Sequence, residues 1–341
     1  MPTDLALKGV DAWVYTIDVK LGQEGKVVPM LVDTGSYTFW AADKACADCI
    51  SGGMVGALAS NPEQCTPYQT SYKTGGFKGC LVNTTMEFGP YKMQNMAMAA
   101  ATDVGDELTA HGNGMFGLAM VDRIETTTPM SRMLSDGLVD DPWVGLRLQR
   151  QGEGDSEVIF GNALKSTYGD SAFHVDLPQR KGGGTKYNVT LDSFAIMGQP
   201  VKDSLITNSG MLLDTGTSNI VVPDSKYEWI LKALVQEPEV PMHPQLKTAM
   251  IPCKGRGNVA EALSFTFGGV AFPVPWKDLV GPEIDLAGTP FAGNGTGVYC
   301  EPRIQKIPGN SNWILGDAFL VNVYHAVNTQ TGGVQIWRLK P

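Results

Sequence analysis

Charge is scarce in this chain. Asp, Glu, Lys and Arg make up 18% of its 341 residues, against about 25% in an average soluble domain. A helical bundle, whose exposed faces need many Glu, Lys and Arg, is disfavoured. Basic charge is the scarcer sign: Lys and Arg number 26 against 35 Asp and Glu, a net charge of −9. The clustered cations that phosphate contacts require are missing, which argues against nucleic acid as a partner. No apolar run approaches the roughly 20 residues that cross a bilayer. The longer ones, such as Trp229–Val235, are short and interrupted by Lys232, so no membrane partner is expected. The first ten residues lack the basic and apolar stretches of a signal peptide. Histidine is rare, with His111, His174, His243 and His325 scattered. Neither HExxH nor GxSxG occurs, which leaves zinc and serine hydrolysis without a motif, and no metal or organic cofactor is expected.

Glycine and apolar residues, by contrast, are plentiful. Glycines number 40, about 12% against a usual share of about 7%, and a hydrophobic share of 43% disfavours wholesale disorder. At about 150 residues per domain, the length suggests two domains. Short β-type runs recur every 8–12 residues or so with Gly, Pro and Asn between them. Examples are Trp13–Leu21, Lys26–Val32, Cys80–Phe88, Trp143–Gln149, Glu157–Phe160, Phe173–Leu177, Tyr187–Ala195, Ser264–Phe267, Val321–Val327 and Gly333–Trp337. Helical patterns are few; Pro129–Gly137 and Asp224–Gln236 are the best, the second with Asp224 as its N-cap candidate. Met93, Met96 and Met98 read as core packing. The chain is expected to be mainly β.

Six cysteines, an even number, suit disulfides. Cys46 and Cys49 form a CxxC, but a zinc site would want a second CxxC or a His pair. Cys46, Cys49, Cys65 and Cys80 allow three pairings, and the residues do not choose among them. Asn83, Asn188 and Asn294 open Asn-x-Ser/Thr sequons, making them glycosylation candidates. Cysteines and sequons together suggest a secreted chain whose targeting segment has been removed.

The organising feature is an internal repeat. Met30-Leu31-Val32-Asp33-Thr34-Gly35-Ser36 reappears as Met211-Leu212-Leu213-Asp214-Thr215-Gly216-Thr217, 181 residues later. Each copy is followed by an apolar-apolar-Gly run, Gly114–Leu118 after the first and Trp313–Asp317 after the second. Each half therefore reads as an apolar strand, an Asp-Thr-Gly turn and a later apolar-apolar-Gly strand, as duplication leaves behind. Gly lets the turn form and lets another backbone approach closely. Ser36 or Thr217 is placed to donate a hydrogen bond to the carboxylate before it. Two such turns meeting on a pseudo-twofold axis would bring Asp33 and Asp214 into contact. Carboxylates that close cannot both ionise easily and share a proton. One can then take a proton from water while the other supplies one to a carbonyl oxygen, which is general acid–base peptide hydrolysis without a covalent intermediate.

These two turns resemble those of pepsin-like aspartic proteases, a dyad that is itself a standard worked example of paired carboxylates. The resemblance covers nearly the whole chain. Tyr15–Gly22 is similar to the family's first strand, and Trp40, seven residues after Asp33, to the Trp that braces the flap. Ser71–Gly76 resembles the flap hairpin, with Tyr72 as the flap tyrosine followed by Lys73, Thr74 and Gly75. Asp136–Val139 resembles the segment after the first lobe's helix, Glu157–Gly161 a strand near the lobe boundary, and Tyr187–Phe194 the strand pair opening the second lobe. Trp313–Leu320 and Val323–Trp337 are similar to the last strands.

The resemblance implies a bilobal fold of two similar β-barrel lobes with a cleft between them, residues 1–165 and 166–341. It implies Asp33 and Asp214 as catalytic residues, with Thr34 and Thr215 clasped beneath them and Gly35, Ser36, Gly216 and Thr217 in support. It implies a Cys253–Cys300 disulfide and a bridge from Cys46 in the loop after the first Asp turn. It implies an endopeptidase acting at acidic pH on polypeptides of roughly seven or eight bound residues, with apolar side chains flanking the cut. Met30, Tyr72, Phe77, Met115 and Ile220 are candidate pocket walls. Statine-type peptides would inhibit, and the protein would be a mature, monomeric form, secreted or held in an acidic vacuole or lysosome.

Lys73, Tyr37 and Asn113 depart from the family's usual residues. Lys73 reads as a solvated loop charge, or else as a contact for acidic substrate side chains. The rival to catalysis is a binding or inhibitor protein on the same fold. Gly112–Gly117 matches the dinucleotide GxGxxG but lacks the following helix and acidic residue; its glycines are better explained by strands crossing closely behind the dyad.

Overall fold

A computed structural model describes residues 3–10, 13–22, 25–46, 49, 65–72, 75–105, 113–120, 127–165, 167–202, 209–255, 257–286 and 298–340. It is mainly β, as the recurrent apolar runs and turn residues predict, and bilobal, as the family resemblance implies. The largest sheet has 13 strands and takes residues from both ends of the chain. Within it Trp143–Arg147 pairs with Val323–Asn328 on one side and with Ser156–Phe160 on the other. Thr3–Val10 and Val14–Leu21 continue it into the first half, while Val334–Leu339 and Gly169–Leu177 close its other edge.

The repeat in the sequence is a repeat in space. Lys26–Asp33 runs parallel to Gly114–Gly117, with Leu31 opposite Met115 and Asp33 opposite Gly117, and Phe39–Ala42 runs antiparallel to the same strand. In the second half Gly210–Leu213 runs parallel to Trp313–Leu315, with Met211 opposite Trp313, and Ile220–Val222 runs antiparallel to it. In each case the later strand lies between the Asp strand and the strand that follows the Asp turn. Only glycine fits at the crossing. A Cβ on Gly117 would lie 2.5 Å from Thr38 O, and one on Gly316 would lie 2.4 Å from Asn219 O. Gly114 is likewise pressed on Trp40 O, so this strand uses its glycines for close crossing; Gly112 lies outside the described residues.

Apolar faces meet in a core that joins both halves. Phe88 packs edge to face on Phe116 and Phe160 in the first, and in the second Trp313 packs so on Phe194 and Phe265, and Phe265 on Phe319. Such pairs add roughly 0.5–1.5 kcal/mol each beyond the area they bury. Met93, Met96 and Met98 are fully buried. The disulfides are Cys46–Cys49, Cys65–Cys80 and Cys253–Cys300. The last is the pair implied by the family resemblance, and the first two resolve the open pairing.

The helices follow their end signals unequally. Pro129–Ser135 starts with Pro at its first turn, is capped by Thr128 Oγ1 accepting from Ser131 N–H at 3.3 Å, and ends on Gly137 at φ +67°. Asp224–Val235 corrects the expected cap. Pro223 holds the N-cap position without a side-chain bond. Asp224 is the first helical residue, and its carboxylate instead takes Gly309 N–H at 3.1 Å and Lys306 Nζ at 2.9 Å. The run Tyr187–Ala195 splits into Asn188–Thr190 and Ser193–Ile196. At the break Leu191 N–H bonds Ser209 O and Asp192 N–H bonds Thr266 O, which sends the two strands into different sheets. Val321 ends the short helix Asp317–Leu320, so the expected strand from Val321 begins at Val323. Among the described residues no helix is long and apolar enough to cross a membrane.

Candidate active site

The two Asp-Thr-Gly turns meet at the centre of the molecule, each at the end of a buried apolar strand. Beneath the carboxylates the threonines clasp across the seam. Thr34 N–H donates to Thr215 Oγ1 at 3.1 Å, and Thr215 N–H donates to Thr34 Oγ1 at 3.0 Å. Each hydroxyl then donates onward, Thr34 to Leu213 O at 3.0 Å and Thr215 to Val32 O at 2.7 Å. A buried hydroxyl with donor and acceptor roles both used is stabilising by about 1 kcal/mol per bond, and it fixes the relative height of the turns.

Above the clasp, Asp33 Oδ1 accepts Gly35 N–H at 2.7 Å and Asp214 Oδ1 accepts Gly216 N–H at 3.0 Å. Each carboxyl also lies against the glycine of the other turn. A Cβ on Gly216 would be 2.5 Å from Asp33 Cγ, and one on Gly35 would be 2.5 Å from Asp214 Cγ. The two side chains are 6% and 8% exposed and bond to one another. Burial, then the charge of Asp214 and the bond to it, hold the Asp33 carboxyl well above the usual range; Gly35 N–H and the Lys186 charge oppose this. The pair therefore retains a proton where isolated carboxylates would be ionised. The support is not symmetric. Thr217 Oγ1 donates to Asp214 Oδ2 at 3.0 Å. Ser36, expected to do the same for Asp33, has its Oγ accepting from Thr38 N–H at 3.3 Å instead.

The expected flap is a hairpin. Thr66–Tyr72 pairs with Gly75–Phe88 down to Tyr72 opposite Gly75, with Gly75 at φ +111°. Lys73 and Thr74 lie outside the described residues. Phe77, Trp40 and Met115 form one apolar cluster with the half-buried Tyr72 packed on it, and the Trp40 and Phe77 rings lie 4.8 Å apart. The Tyr72 hydroxyl sits near Ser36 and Thr38 without a hydrogen bond of normal geometry among the described residues, and burial pushes its phenol up. Met30 and Ile220 correct the expected pocket walls. Neither exposes any surface, because both side chains belong to the main core behind the turns.

A third carboxyl lies near the dyad. Asp317 is fully buried, and neither of its oxygens accepts a hydrogen bond among the described residues. Burial and the charges of Asp214 and Asp33 raise it well above the ordinary range, with Arg303 opposing. It occupies the position after Gly316 in the repeated apolar-apolar-Gly run, where the first copy has Leu118. That break in the repeat is the signal by which the sequence could have singled it out.

Residues 14–337 match the family model for eukaryotic aspartyl proteases. The chain belongs to that family. Among relatives, this aspartyl protease family member is 26% identical over 319 residues to a probable aspartic-type endopeptidase CTSD of Arthroderma benhamiae, covering 91% of this chain and 58% of that one. It is 27% identical over 336 residues to Rhizopuspepsin-4 of Rhizopus niveus, covering 94% and 76%. It is 25% identical over 338 residues to vacuolar protease A of Arthroderma otae, covering 96% and 78%. The chain thus spans little more than half the length of the first of these relatives.

Proposed function

We propose that this chain is an endopeptidase that hydrolyses polypeptides at acidic pH through Asp33 and Asp214. The observation that carries this reading is the crossed pair of turns. Two buried carboxyls face each other over a threonine clasp, each pressed against the other's glycine, with burial and mutual charge favouring one shared proton. A water between them loses a proton to the ionised carboxylate as it attacks the scissile carbonyl. The protonated partner hydrogen-bonds the carbonyl oxygen and transfers its proton as the tetrahedral centre forms. Proton transfer of this kind contributes about 10²–10⁴-fold, and the fixed geometry of the turns adds the orientation term. The hairpin ending at Tyr72 covers the cleft, with Trp40, Phe77 and Met115 beneath it. Lobes of residues 1–165 and 166–341 flank an extended substrate with apolar side chains at the cut.

The three disulfides suit an oxidising compartment. Together with a relative named vacuolar protease A, they favour secretion or an acidic vacuole. Of the glycosylation candidates, Asn83 is exposed on its strand, whereas Asn188 is half-buried with its amide donating to Gly183 O at 3.2 Å; Asn294 lies outside the described residues. Incubation with denatured globin across about pH 3–7, with and without a statine-type peptide, tests the reading. Inhibitor-sensitive cleavage is expected at the acidic end. Its absence throughout would point to the non-catalytic binding protein.

A further inference from the structure

The segment 183–188 runs along the seam beside the dyad and is bonded to both halves. Thr185 O accepts Met120 N–H at 2.9 Å, and the buried Tyr187 donates its hydroxyl to Leu118 O. Leu118 N–H in turn donates to Asp33 O at 2.8 Å. Tyr187 O accepts from Leu213 N–H at 3.1 Å, one residue before Asp214. Lys186 stands between these two anchors. Its own carbonyl accepts Asn188 N–H at 2.9 Å and Gln179 Nε2 at 3.1 Å. The backbone is therefore fixed, and with Tyr187 turned inward the Lys186 side chain is exposed.

Among the described residues no carboxylate lies within ion-pairing distance of its ammonium. Yet its charge reaches the dyad: it is the cation that acts on Asp33. A surface lysine is usually only solvated. This one is pinned by its backbone at the seam, beside a dyad that carries one negative charge when it holds one proton, and is paired with no anion among the described residues. An acidic substrate side chain would be repelled by that dyad charge unless a cation nearby offset it.

We propose that Lys186 is a specificity-determining residue that favours substrates with an Asp or Glu side chain near the cleaved bond, on the side of the dyad facing the 183–188 turn. The proposal rests on the endopeptidase reading. Acetylated, amidated peptides that differ only as Asp or Asn at successive positions around the cut separate the two claims. They are compared by kcat/KM at about pH 5, where an Asp carboxylate is ionised, and at low salt. At one position the wild type is expected to favour Asp by about two- to five-fold, the range of an exposed ion pair, and salt should erode the preference. Lys186→Met should bring the ratio to one or below, Lys186→Arg should retain it, and Lys186→Glu should favour Lys over Asp at that position. No Asp preference at any position, or the same ratio in Lys186→Met, would overturn the proposal while cleavage of the Asn peptides left the endopeptidase reading intact. Cleavage of no peptide by the wild type would overturn that reading and the proposal with it.

Discussion

Gly35 and Gly216 set how closely the two carboxyls approach, because each is the surface against which the other turn's aspartate rests. Gly216→Ala puts a methyl 2.5 Å from Asp33 Cγ, and Gly216 N–H is already committed to Asp214 Oδ1. Displacement of the dyad by about 1 Å can cost about 10²-fold in rate, so kcat/KM should fall at least that far while circular dichroism still reports a folded protein. Asp33→Asn tests the shared proton through stability. A carboxyl raised on folding holds its proton above about pH 4, where the unfolded chain releases it. Its contribution is complete below that pH and is lost as pH rises through the folded value. Asp33→Asn, neutral throughout, should therefore lose less stability than wild type between pH 4 and 7 in urea titrations. An identical loss in both would mean that Asp33 titrates as an isolated carboxylate. The Asp-Thr-Gly residues were legible in the sequence because their chemistry is local: strand, acid, turn glycine. Lys186 was not, and Asp317 showed only as a break in the repeat, since burial and proximity to the dyad depend on which segments fold together.

At the scale of strands, the duplicated pattern could be read because each copy carries the whole device, from the apolar strand through the turn to the glycine that lets the return strand cross. What the pattern could not assign was direction. Met30 and Ile220 flank the turns in sequence but face the core, and the break after Thr190 follows from partners more than 15 residues away. The strand Val323–Asn328 holds a different kind of residue. His325 is fully buried, neither ring nitrogen has a partner among the described residues, and its neighbours across the ladder are Leu146 and Ile336. Burial alone depresses it to about 3. A histidine buried neutral contributes stability above its unfolded value of about 6.5 and loses it as pH falls toward 3. Between pH 7 and 4 that loss is of order 3 kcal/mol. His325→Phe should narrow the gap between the melting temperatures at pH 7 and pH 4. An unchanged gap would mean that His325 is protonated without cost.

Across the whole molecule the two halves are fastened by charge as well as by sheet. Arg150 Nε and Nη2 donate to both oxygens of Asp278 at 2.6 Å, and Nη2 also reaches Asn322 Oδ1 at 2.7 Å. Asp278 has no exposure. Removing one partner of a buried pair strands the other, at about 3–5 kcal/mol. Arg150→Met should destabilise the protein by about that amount, and Arg150→Met with Asp278→Leu should recover much of it; a double variant no better than the single would show that the bond carries none of the attachment. The pH linkages also combine at this scale. Asp33 and Asp317 favour acid, and His325 opposes it. The central claim, that Asp33 and Asp214 share one proton and activate water, is tested most directly by the pH profile of kcat/KM on a single peptide from about pH 3 to 8, for wild type and Asp33→Asn. The account predicts a wild-type maximum in acid that declines toward neutrality and no cleavage by Asp33→Asn at any pH; a flat wild-type profile to pH 8, or cleavage by a folded Asp33→Asn, would contradict it.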